Sequence, residues 1–140
     1  MKLRIFLRIV GAVQLILGIF YLVAPRQFLH LIGHSVPAAD IAYPLGMLAA
    51  RFLAYGLGLF VMARAPQEHR FWILNMVLIQ LVDLGVGLVY TLAGVVPLGV
   101  SAFPMFNAAL IAALLWLWRP AAPDHELHGP QGRQPQASAA

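Results

Sequence analysis

The residues of this sequence that could do chemistry are polar side chains set inside apolar stretches: Gln14, Arg51, Tyr55, Gln80, Asp83, Tyr90 and Asn107. Arg51 interrupts "MLAARFLAYGLGLF", and Asp83 interrupts "LIQLVDLGVGLVY". An arginine and a carboxylate can form a hydrogen-bonded ion pair, and amides and phenols can satisfy the donors and acceptors that the pair leaves over. Two uses of such a group stay open. It can clamp helices in register, or it can line a pocket that takes the polar head of an amphipathic molecule.

Other chemistry finds no footing. The chain has no cysteine, which excludes disulfides, thiolate metal sites and cysteine nucleophiles. It shows no nucleophile motif, phosphate-binding glycine loop or haem-type histidine pair within the apolar stretches. His30 and His34 have metal-ligand spacing, but Gly33 interrupts the turn and only Asp40 stands near as a third ligand, so loop histidines are expected and no metal. Catalytic residues are therefore not assigned.

The elements that position these side chains follow from hydropathy. Of 140 residues, 61% are hydrophobic and only 10% charged, too few to coat a soluble core of this size. Four apolar segments, at about 5–24, 43–63, 71–92 and 100–118, each match the ~20 residues that cross ~30 Å of hydrocarbon. Lipid requires backbone groups to pair within each segment, and alternation of period two is absent, so the segments should be helices. The expected fold is an all-α integral membrane four-helix bundle over 1–119, followed by a disordered cytoplasmic tail over 120–140.

The charges give an orientation. Lys2, Arg4, Arg8, Arg64, Arg70, Arg119 and Arg133 flank one side of the segments, and only Arg26 lies in the other two loops. Both termini are thus expected in the cytoplasm, and the net charge of +4 reads as topology, with no nucleic-acid partner. The start resembles a signal peptide, but Pro25 follows the only small residue suited to cleavage, so an uncleaved anchor is expected. In the first outer loop, "PRQFLHLI" has Pro25 at a helix start and Gly33 as a stop, which predicts a short interfacial helix. Trp72, Trp116 and Trp118 suit an aromatic belt.

With the spans so directed, depths along the helices can be compared. Arg51 lies about 12 Å below Tyr43, and Asp83 about 13–14 Å below Leu92. Asn107 lies about 10 Å below Val100, and Gln14 about 15 Å below Ala24. Each span contributes one strongly polar side chain to a common layer. Helical spacing places Gly11 and Gly18 beside Gln14, Tyr55 and Gly58 beside Arg51, and Gln80, Gly87 and Tyr90 beside Asp83. An Arg51–Asp83 ion pair is predicted, with Asn107, Gln14 and Tyr55 completing its hydrogen bonds. Ala54 and Gly58 also fit the small-xxx-small pattern of closely packed helices.

The basic start, "RIVGAVQLILGIFYLVAP", "ARFLAYGLGLF" and an asparagine early in the last span together resemble small four-helix bacterial membrane proteins of the DoxX-like and BphX-like type, over about residues 8–118. DoxX relatives are associated with quinone-linked sulfur oxidation, as small subunits beside a soluble or periplasmic partner. Where they usually carry a lysine at the end of the first span, this chain has Pro25 and Arg26, so the resemblance implies architecture rather than that activity. The expectation is a bacterial inner-membrane protein without catalytic activity, in contact with lipid. It would serve as an accessory subunit, as a homo-oligomer or beside other membrane subunits, or as a binder of a lipophilic ligand such as a quinone or lipid. The alternative is a quinone-linked membrane oxidoreductase component.

Overall fold

The structure, a computed structural model, describes residues 1–35 and 38–121. Among these residues all regular structure is helical: α1 Lys2–Val23, α2 Pro25–Leu31, α3 Ala42–Met62, α4 Arg70–Leu92 and α5 Leu98–Trp118, with a single 3-10 turn at Ala39–Ile41. Four helices are long and apolar enough to cross a membrane, and they coincide with the four expected spans. The short helix also forms where expected. The expected tail lies, from residue 122 onward, outside the described residues.

Local chemistry sets the boundaries. Ala24 leaves the helical region at φ −142°, as suits a residue before proline, and Pro25 then opens α2 where its missing N–H costs nothing. Gly33, at φ 92°, turns the chain away after α2. Gly94, at φ 71°, does the same after α4. Pro104 stands inside α5, and the helix continues through it.

Lys2, Arg8, Arg64, Arg70 and Arg119 gather at one end of the bundle, called here the basic end; the opposite end is the far end. The helices associate as two pairs, α1 with α3 and α4 with α5, while α3 and α4, although consecutive, make few contacts. Glycines select the first pairing. A Cβ at Gly11 would lie 3.0 Å from the Gly56 carbonyl oxygen, and one at Gly18 only 3.2 Å from that of Ala49. Missing side chains there let the two backbones approach closely. In the second pair, Met105 packs so tightly over Gly87 that a Cβ would lie 2.6 Å from its Cγ.

The pairs meet in an apolar core of Leu7, Val10, Leu59, Met62, Ile73, Met76, Val77, Ile111 and Leu115, flanked by Ala63 and Ala112. All of these lie in the basic half. There Phe6 also meets Trp118 edge to face, with ring centroids 5.5 Å apart. At the far end Tyr21 stacks on Phe52 at 5.8 Å and meets Phe28 edge to face at 4.9 Å, fixing α2 against α1 and α3. The described residues of the far half bury only small side chains, such as Gly18, Ala49 and Ser101. The bundle thus buries large apolar side chains at one end and only small ones at the other.

Candidate functional site

Gln14 and Gln80 sit where the half that buries large side chains gives way to the half that buries only small ones. Gln14 on α1 is 8% exposed and Gln80 on α4 is 5% exposed. Counted from the basic ends of their helices they lie about 18 Å and about 15 Å along the axis, near the middle of helices long enough to cross ~30 Å of hydrocarbon. Gln14 is oriented by Gly11 and Gly18, which press the same face of α1 against α3. Gln80 shares the line of Ile73, Met76 and Val77 that faces the core.

Gln14 is left unsatisfied, and Gln80 has only a weak partner. Gln14 Oε1 is buried and accepts no hydrogen bond from the described residues. Gln80 Nε2 reaches only the Met76 sulfur in its own helix, at 3.9 Å, a weak acceptor. A buried polar group without a partner costs about 1–3 kcal/mol. Gln14, with its unpartnered oxygen, and Gln80, with only a thioether contact, lie at about one level and form a polar floor beneath the half that buries only small side chains. Glutamine amides neither gain nor lose a proton near neutral pH, so the floor is suited to hydrogen bonding: Oε1 accepts from a hydroxyl, and Nε2 donates to a carbonyl or hydroxyl oxygen.

The remaining predicted residues are less enclosed. Tyr55 is half-buried against the core, and Asn107 is half-buried on α5. Arg51, Asp83 and Tyr90 are exposed. Among the described residues there is no salt bridge, so the predicted Arg51–Asp83 ion pair is not formed and Gln14, Tyr55 and Asn107 complete no hydrogen bonds around it. The cause is the pairing of helices. The glycine contacts place α3 on α1 and α4 on α5, which separates the two helices that carry the charges. On α3 the buried glycine is Gly56, not Gly58, so the face that carries Arg51 turns outward.

One polar contact escaped the sequence reading. The Thr91 hydroxyl donates to the Gly87 carbonyl oxygen at 2.6 Å and lies 2.8 Å from Ser101 Oγ, whose proton it can accept. This clasp joins the far ends of α4 and α5. A threonine and a serine near turns carry little signal in sequence, because both are common there for local reasons. At the basic end a shallow depression is lined by Arg70, Leu117, Arg119, Pro120 and Ala121. Its guanidinium groups are engaged: Arg70 Nε donates to the Pro120 carbonyl oxygen at 3.1 Å, and Arg119 lies 3.7 Å over the Trp116 ring.

Comparison with known proteins returns no matching family model, no matching curated relative and no matching solved structure. The reading of function therefore rests on the site itself.

Proposed function

We propose that this chain is a multi-pass protein of the bacterial cytoplasmic membrane, with both termini inside, that binds the polar head of a lipophilic molecule between its two helix pairs. The observation that carries this reading is the unpartnered buried oxygen of Gln14, at the level of the weakly bonded Gln80 amide, where the buried side chains change from large to small. A head group bearing a hydroxyl or carbonyl would supply the missing hydrogen bonds, and its apolar tail would occupy the space that no large buried side chain fills. The architectural resemblance to DoxX-like and BphX-like proteins supports a role as a small subunit beside other proteins. Amides alone perform no acid–base or nucleophilic step, which favours binding over catalysis. A quinone head, with two carbonyl oxygens, is one chemistry that the Gln80 donor would suit.

The test is extraction of the protein, purified in mild detergent from its native membrane, followed by mass spectrometry of the lipophilic molecules that come with it. A molecule retained in fixed proportion by the native chain and lost from Gln14→Leu is the expected result. An identical lipid complement in both proteins would contradict the reading.

A further inference from the structure

Arg51 and Asp83 lie deep in their spans, exposed, and without a salt bridge among the described residues. An arginine facing hydrocarbon near the middle of a span is costly. Arg51 is about 16 Å from the basic end of α3 and about 13 Å from its other end, both longer than its side chain. Asp83 is about 20 Å from the basic end of α4. The two charges are opposite, on different helices, and separated in depth by only about 3 Å.

We propose that two copies of this chain pair side by side in the membrane through the outer flanks of α3 and α4, Arg51 of each copy meeting Asp83 of the other. Symmetry makes the depth match decisive. Two copies with the same orientation are related by a two-fold axis along the membrane normal, and rotation about that axis leaves depth unchanged. Residues on different helices can therefore pair across it only when they share a level. Arg51 and Asp83 do, and the axis then forms the contact twice. Neither charge is left facing lipid.

The flanks themselves allow close approach. Ala50, Ala54 and Gly58 recur every fourth residue beside Arg51, with Ala50 and Ala54 exposed. Small residues at such spacing let helices pack backbone to backbone in lipid. Each charge falls within about 20° of the helical line of a core methionine, Arg51 three turns beyond Met62 and Asp83 two turns beyond Met76, yet both are exposed. The inference does not depend on the amide layer holding a ligand.

Charge exchange between copies tests it. Full chains carrying Arg51→Asp or Asp83→Arg are labelled with different fluorophores and reconstituted in phosphatidylcholine vesicles, alone and together, with the native chain as reference. The native chain is expected to be dimeric, and each variant alone to dissociate at least about tenfold more readily, because every contact becomes like-charged. Mixed together, the two variants should associate with each other nearly as well as native chains do, since both contacts again join opposite charges, one in the native sense and one reversed. A native chain that stays monomeric, single variants that dimerise normally, or a mixture that stays apart would each overturn the proposal. The mixture also excludes an ion pair within one chain, which co-reconstitution could not restore. Should the reversed charges prevent insertion, Arg51→Gln and Asp83→Asn carry the same test: each is expected to weaken the native dimer, and an unchanged dimer overturns the proposal.

Discussion

Gly11 and Gly56 meet backbone to backbone: a Cβ on either would lie 3.0 Å from the carbonyl oxygen of the other. Gln14 stands one turn along α1 from this crossing, so the contact sets how deeply the amide is buried and which helix it faces. Gly56→Val should destabilise the folded protein by about 1–3 kcal/mol, since overpacking forces the backbones apart. Thermal unfolding in detergent checks this, with Gly85→Val as the comparison. A Cβ at Gly85 meets nothing within 4 Å, and that substitution should cost much less.

The unsatisfied amide makes an unusual prediction about stability. Gln14→Leu removes a buried acceptor that has no partner and leaves a side chain of similar size. In ligand-free protein it should be neutral or stabilising, by up to about 2 kcal/mol. A helix clamp would behave in the opposite way, losing about 1 kcal/mol when its amide is removed. Unfolding measured after delipidation separates the two.

The hydroxyl clasp is expected to behave as a coupled pair. Thr91→Val and Ser101→Ala should each lower stability by about 0.5–1.5 kcal/mol, and the double substitution should cost less than the two added together. A double-mutant cycle in unfolding free energy gives the coupling. Additive losses would mean that the 2.8 Å contact contributes nothing.

Topology can be tested without background, because the chain has no cysteine. Gln67→Cys places a thiol in the loop between α3 and α4, and Ser35→Cys places one beyond α2, both at exposed positions. In intact cells a membrane-impermeant maleimide should label Ser35→Cys and leave Gln67→Cys unlabelled until the membrane is opened. The reverse pattern would invert the proposed orientation.

How far these features can be read from sequence differs from helix to helix. The long helices follow from hydropathy and length, and Pro25 and Gly33 mark α2 by the backbone angles they impose. The inward face of α1 is readable because Gly11, Gln14 and Gly18 stand out from Leu, Ile and Val, and all three are buried. In α5 the buried line runs through Ser101, Ala108, Ile111, Ala112 and Leu115, whereas the spacing around Asn107 points to Phe103, which is 76% exposed. Almost every residue of that helix is apolar, so outward-facing and core-facing sides look alike. Partner choice is the part that periodicity cannot supply. Arg51 and Asp83 share a depth, as their positions indicate, but depth says nothing of which helix lies beside which. The Gly11–Gly56 crossing decides that, and it takes α3 away from α4.

A density map of the protein purified from its native membrane, resolved well enough to show side chains at the level of Gln14 and Gln80, tests the binding reading most directly. Density that belongs to no protein residue is predicted within hydrogen-bonding distance of Gln14 Oε1, about 3 Å, and continuing into the half that buries only small side chains. A Gln80 amide donating straight to Gln14 Oε1, with protein side chains filling the space above, would contradict it.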